Sequence, residues 1–528
     1  MAAQSRPLAG HVFDSASLPE AVDRVLHWFQ RHLVTASVLF RRRPGRMGSW
    51  RRVSAALVVA LVVTLLLKPP AYAADDGSLD AAFTTANGTG ANSDMRPIAV
   101  QADQKSVIGG NFTDWNGTTA GRVVRLNTDG SLDTAFTTNT GTGASGSVWS
   151  IAVQADQKLV IGGFFATWNG ATVERLVRLN TDGTHDTAFT TNTGAGANGS
   201  VWSVAVQADQ KIVIGGDFTT WNGAAAGGVV RLNANGTQDT AFTINTGTGA
   251  NGSVHFVALQ ADQQIILGGD FTVWGPTAVG RVVRLSTGGT MDTAFTTNIG
   301  TGANAIVYSV VVQADQKIII GGGLTSWGGT TVGRSVRLNS NGTSDTAFTT
   351  TTGTGANGTV WSAAVQADQR ILVVGDFTSW NGAIVTRVVR LNTGGDLDTA
   401  FTTSTGTGAN GSVRSLAVQT NQQSLIGGAF TTWNIAAVGR VVRLNGTAAT
   451  GSQSQVVALR APVIQQFGRP LTGTCDEAAL ESLNWWGVAS GGWAQSWAAW
   501  VNDGRGGAVC TRTFRYSTVQ SQWIVDEP

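Results

Sequence analysis

The sequence predicts an all-β fold: a seven-bladed β-propeller with four antiparallel strands per blade, the ring closed by the N-terminal strand, plus a small disulfide-stapled C-terminal domain. Three observations predict it. A 53-residue unit recurs seven times without insertion, the mark of a repeat architecture. Each unit reads as short apolar, β-branched runs separated by turn residues, with no helical period. The array also starts and stops out of phase with itself.

Several columns keep the step. VQADQ gives Asp103, Asp156, Asp209, Asp262, Asp315 and Asp368, with Asn421 in the seventh copy. The tryptophans from Trp115 to Trp433 share the spacing, as do Phe83 to Phe401 in D-x-A-F and Arg125 to Arg443 in R-L-N or R-L-S. In the second copy SVWSIAVQ (147–154) is apolar enough for a buried strand, and ADQ turns it into KLVIGGFF (158–165). ATWNGAT leads to VERLVRLN (173–180), and TDG turns the chain into a short strand, THDTAF (184–189). The glycine pair inside the second strand implies close approach of neighbouring sheets.

The phase decides closure. DGSLDAAF (76–83) is a fourth strand with no blade before it, and Arg443-Leu444-Asn445 is a third strand with no fourth after it. The first segment therefore completes the last blade and removes the edges of an open array.

The run VQADQKIVIGGDFTTW (206–221), followed by VVRLN and the D-G-x-x-D-T-A-F element, resembles the delta-60 repeat family, a bacterial β-propeller repeat of unknown function. The resemblance covers about residues 76–446. It implies the propeller fold and lends no reaction or catalytic residue. One departure stands out: Gln104, Gln157 and their equivalents occupy the place where the family's D-G-K turn has glycine.

Columns identical in every copy are expected to be scaffold. The aspartates from Asp80 to Asp398 and the arginines from Arg125 to Arg443 are expected to hydrogen-bond between strands or blades. The informative column varies while its neighbours stay fixed: Arg96, Trp149, Trp202, His255, Tyr308, Trp361 and Arg414. These lie at the start of each unit's first strand, where a blade lines the central channel. Flat rings and guanidinium groups there suit stacking on sugars and hydrogen bonds to acidic groups, so the seven are the candidate ligand-binding residues. Inter-blade packing is the competing reading. The two long loops of each unit, TTNTGTGANGS and TWNGAT, are expected on one face, the face where function is sought.

Other chemistries find little support. GTGANG (247–252) fits a dinucleotide fingerprint, but it recurs on the 53-residue beat and lacks a preceding buried strand and a following helix, so no nucleotide and no cofactor is expected. The N-T-D-G loop at 127–130 becomes Asn-Gly or Gly-Gly in other copies, which suits a hairpin turn and not a metal. A net charge of +2 and 13% charged residues argue against nucleic acid. The array has two histidines, His185 and His255, one glutamate, Glu174, and no marked catalytic set.

The ends suggest an address. Residues 1–73 hold six arginines from Arg41 to Arg52, the apolar run Val53 to Leu67 and Ala71-Tyr72-Ala73, in the order of a signal peptide, with Met47 as an alternative start. An uncleaved anchor is the one membrane attachment considered. After the linker 447–455, residues 456–528 hold both cysteines, Cys475 and Cys510, expected as one disulfide. Trp493, Trp497 and Trp500 there fit one face of a short helix, and the module resembles tails of exported actinobacterial surface proteins. The expectation is a secreted or cell-surface monomer that binds polysaccharide or a surface protein without catalysis. A polysaccharide hydrolase or lyase is the first alternative and a purely structural protein the second.

Overall fold

Each 53-residue unit builds the same three-stranded antiparallel sheet. The computed structural model describes residues 76–446, 494–501, 508–517 and 522–525. In the second unit the sheet comprises an inner strand Ser147–Val153, a middle strand Leu159–Phe164 and an outer strand Leu176–Leu179, with the middle strand central. The middle strand is buried from Leu159 to Gly163, as a continuous apolar run between turns should be. Seven such sheets follow one another from Met95 to Leu444, giving an all-β, propeller-like repeat.

Two further pieces complete the unit. A hairpin pairs Thr167–Trp168 with Ala171–Thr172, and Trp168 is buried edge-on against Phe165, with 6.3 Å between ring centroids. The other piece corrects the four-strand expectation. Only His185 bridges to Leu179 where a fourth strand was expected, and Thr187–Thr193 is then a helix. The cause is Asp186, whose Oδ1 accepts the Phe189 amide at 3.2 Å and caps the helix N-terminus. The helix buries Phe189 beneath the Arg178 guanidinium, 4.2 Å from the ring centroid. Being seven residues of mostly Thr and Asn, it carries no apolar period for a sequence reading to detect.

The units pack through their inner strands and through the glycine pairs. A Cβ on Gly268 would stand 2.6 Å from Val307 Cγ1, so the absent side chain is what lets the neighbouring sheet approach. Each apolar cluster spans two units: Val160 and Leu176 of the second join Val201, Phe218 and Trp221 of the third. The first and last units share a cluster in the same way, with Met95, Ile108 and Phe112 against Leu425 and Val441. Between these units Leu79 bridges Leu444, and Asn445 O accepts the Gly77 amide at 2.8 Å. Asp80 receives Arg443 at 2.7 Å, the pairing that Asp133 gives Arg125 at 2.9 Å within the second unit's predecessor.

The scaffold columns behave as hydrogen-bonding frames. Arg125 NH1 donates to Thr181 O of the next unit at 2.7 Å, and Lys105 Nζ reaches the same Asp133 carboxylate at 2.9 Å. The T-D-G loop is turn chemistry: Asp182 Oδ1 accepts from the Thr184 amide at 2.9 Å and its hydroxyl at 2.7 Å, and Gly183 has φ 95°.

At the C-terminus Ala494–Val501, Ala508–Ser517 and Gln522–Val525 form an antiparallel three-stranded sheet. This corrects the expected helix: Trp497 and Trp500 belong to a strand whose ladder runs from Ala494↔Arg515 to Val501↔Ala508, and pairing over that length overrides an i, i+4, i+7 spacing. Trp493, Cys475, the linker and the signal-like residues 1–73 lie outside the described residues, so the expected disulfide with Cys510 does too. Among the described residues no helix is long and apolar enough to cross a membrane.

Candidate functional site: a bulged column lining one cavity

The variable column sits where the inner strand breaks its ladder. Val148 pairs with Gly163 and Ser150 with Gly162, which leaves Trp149 as the extra residue of a β-bulge. Trp202, His255, Tyr308, Trp361 and Arg414 are skipped in the same manner. In the first unit the jump from Met95↔Gly110 to Ile98↔Ile108 frees Arg96 and Pro97, and a proline is tolerated there because no ladder amide is needed. A bulge re-aims its side chain without disturbing the strand, which is how one scaffold carries four residue types at one position.

All seven line a single cavity of about 470 Å³, together with the residues that follow them along the strands. That volume falls within the roughly 300–1,000 Å³ of ligand pockets. Serines lock the bulges to one another. Ser150, Ser203 and Ser309 accept, through Oγ, the amides of Val204, Val257 and Ala363 one unit further on, at 2.9, 3.1 and 3.1 Å.

The seven side chains make a nearly continuous chain of contacts. Trp149 stacks on Trp202 with centroids 3.9 Å apart, Trp202 meets His255 edge-on at 4.9 Å, and His255 meets Tyr308 edge-on at 5.4 Å. Tyr308 and Trp361 are 4.5 Å apart, and the two arginines cap the ends, Arg414 over Trp361 at 5.3 Å and Arg96 over Trp149 at 5.6 Å. The rings spend much of their π-surface on one another. Packing between units and lining of the mouth are done by the same residues.

A second column was missed. The residue after the last glycine of each middle strand, a glycine pair in every unit but the sixth (Val374-Gly375), reads Asn111, Phe164, Asp217, Asp270, Gly323, Asp376 and Ala429. Its variability beside fixed neighbours was the signal that could have found it. Asp376 Oδ2 accepts the Trp361 indole N–H at 2.8 Å, and Asp270 Oδ2 lies 3.9 Å from His255 Nε2. Phe164 is more than half exposed and nearly parallel to Trp149 at 6.1 Å.

The mouth is electrically uneven. The seventh, first and second units contribute Arg414 and Arg96 with Ala429, Asn111 and Phe164 beside them, whereas the third, fourth and sixth contribute Asp217, Asp270 and Asp376. Burial and the neighbouring Arg414 charge lower the Arg96 pKa against the pull of Asp94. Burial likewise pushes His255 below its ordinary value, against the raising effect of Asp270 and Asp217, and raises Tyr308.

Comparison with known proteins gives a family and no reaction. The model of a domain of unknown function, the DUF5122 beta-propeller, matches residues 101–136, 154–189, 207–242, 260–295, 313–348 and 366–401. No curated protein matches the chain. Similar solved structures include a catalytically inactive virginiamycin B lyase from Staphylococcus aureus with quinupristin, at 11% identity over 68% of this chain and 96% of that one, with TM-score 0.39. PorZ of Porphyromonas gingivalis, a surface component of a type-IX secretion system, is 12% identical over 83% of this chain and 59% of that one, with TM-score 0.42. YCF48 from Cyanidioschyzon merolae is 14% identical over 67% and 96%, with TM-score 0.38. None of these bears on what the present chain binds. By its six matched repeats the chain belongs to a β-propeller repeat family of unknown function.

Proposed function

We propose that this chain is an exported binding protein without catalytic activity, a closed seven-bladed ring that takes a polysaccharide at the channel mouth. The observation that carries the reading is the bulged column. Seven equivalent positions, from Arg96 to Arg414, are released from the ladder, differ in kind, and converge on one cavity. A scaffold that repeats its frame and varies this position and the neighbouring rim column is adapted to a ligand that meets the blades unequally. Closure is supported by the Asp80–Arg443 pair and the cluster shared by the first and last units. Export rests on the signal-like order of residues 41–73.

The test is a glycan array probed with the full chain, then titration calorimetry on the hits. Trp149→Ala, Trp202→Ala and Trp361→Ala combined should weaken binding at least tenfold; undiminished affinity would place the site elsewhere. If the triple variant does not fold, Trp149→His, which installs the residue of the fourth unit, serves in its place. Binding to a surface protein with no glycan hit would move the ligand class to protein. The second reading, a hydrolase or lyase, is favoured by one contact only, His255 beside Asp270 in the cavity. Release of shortened chains from a bound glycan would move the assignment to an enzyme.

A further inference from the structure

We infer that Arg96 and Arg414 form a carboxylate-binding subsite at the seam between the first and last units, and that the glycan taken at the mouth is an acidic one, built on uronic acid residues. The inference rests on the mouth being the binding site and names the class of its ligand. Most other arginines of the repeat have set partners. The column from Arg125 to Arg443 is fixed on aspartate and on a carbonyl of the next unit, and Arg122, Arg281, Arg334, Arg387 and Arg440 donate to backbone carbonyls. Arg96 and Arg414 make no such hydrogen bond, and Arg414 has only a long ion pair with Asp94. The Nε of each is buried without a hydrogen-bond partner, and no described residue accepts a hydrogen bond from either guanidinium.

The charges around them point the same way. The one carboxylate near the pair is Asp94, 3.8 Å from Arg414 Nε and beyond hydrogen-bond distance. The rim aspartates are absent from these units, where Asn111 and Ala429 stand instead. Two like charges lining one cavity and half-buried repel each other: burial depresses the Arg96 pKa first and the Arg414 charge adds to it. An anion placed between them relieves the repulsion, and the planar guanidinium fork matches a carboxylate. Trp149 lies against Arg96 and Trp361 against Arg414, so an aromatic ring flanks the pair on each side.

Calorimetry of the full chain tests this with oligogalacturonate and a neutral glucose oligomer of equal length, each at low and high salt. The expected result is oligogalacturonate binding at least tenfold tighter than the neutral oligomer, weakened by salt. Arg96→Gln and Arg414→Gln should each lose at least tenfold for the acidic oligomer and markedly less for the neutral one. Arg414→Tyr, installing the residue of the fifth unit, gives a second variant compatible with the scaffold. Equal affinity for both oligomers, untouched by the substitutions, overturns the acidic subsite and leaves the mouth as a glycan site. Binding of neither oligomer, with the array also empty, overturns both readings. A peptide that binds more tightly than the uronate, and does so only with a free C-terminal carboxylate, overturns the glycan class.

Discussion

Gln104 Oε1 accepts the Thr420 amide at 3.1 Å, tying the first unit to the last. The same bond recurs between neighbours, for example from the Ala102 amide to Gln157 Oε1 at 2.9 Å and from the Ala155 amide to Gln210 Oε1 at 3.0 Å. It explains why this chain departs from the glycine of its family's turn. Each of these glutamines sits in the left-handed region, Gln157 at φ 65°, where glycine would rest without strain. The chain accepts that strain and gains an acceptor for the adjacent unit.

Two substitutions separate those terms. Gln157→Ala keeps the strained backbone and loses the acceptor, so it should destabilise by about 1 kcal/mol, the worth of a partly exposed hydrogen bond. Gln157→Gly loses the same bond but relieves left-handed strain worth roughly 1–2 kcal/mol, offset by the extra freedom of glycine when unfolded. The glycine variant should therefore be the more stable of the two by urea unfolding. An alanine variant equal to or above it would count against this account of the turn.

The seam gives a sharper test. Asp80 accepts Arg443 through two nitrogens and Gln423 through a third contact, and the Arg443 side chain is only 11% exposed. Asp80→Ala strands that guanidinium and should cost about 3–5 kcal/mol. Asp103→Ala, in an exposed turn where the carboxylate merely accepts the Lys105 amide at 3.0 Å, should cost under about 1 kcal/mol. Deleting residues 76–83 should lower the melting temperature further still. A deletion that melts like the intact chain would mean the ring is not closed here.

Much of this fold was legible because the chain states it seven times. Turn residues and glycine pairs each reported a local constraint, and comparing copies separated the fixed columns from the variable one. The helix after Asp186 was not legible: its stabilisation is a cap and one buried Phe, with Thr and Asn filling the rest. The seven mouth residues were found by their variability, but a sequence could not say that Trp149 and Trp202 stack on each other, since that depends on the spacing of adjacent bulges. The rim aspartates were missed because Asp217, Asp270 and Asp376 resemble ordinary turn residues until the fold brings them beside His255 and Trp361.

Acid should unfold the repeat abruptly. Burial pushes the Asp133 carboxyl up, but the Lys105 and Arg125 side chains and the Phe136 amide together hold it below its ordinary 3.8. Asp80, Asp186, Asp239, Asp292, Asp345 and Asp398 are lowered by the same kind of contacts. A carboxylate whose folded pKa is depressed contributes stability that is fully present above the unfolded value and lost as pH falls through the folded one. Seven acting together predict a urea midpoint that is flat in this respect above about pH 5 and falls steeply below about pH 4. A midpoint unchanged at pH 3 would show that these pairs do not hold the units.

The protonation of His255 can be read directly by NMR. Burial between Trp202 and Tyr308 depresses its pKa, and the Asp270 and Asp217 charges only partly restore it. The ring should titrate below the ordinary 6.5, leaving His255 neutral at pH 7. By linkage its contribution to stability is present above that value and diminishes as pH falls, because the unfolded chain binds the proton first. Asp270→Asn removes the larger of the two raising charges, so the His255 midpoint should drop further. His185, whose depression is opposed by Asp186 in another unit's turn, should not move. A midpoint that rises in Asp270→Asn would mean that the carboxylate is not the partner of this histidine.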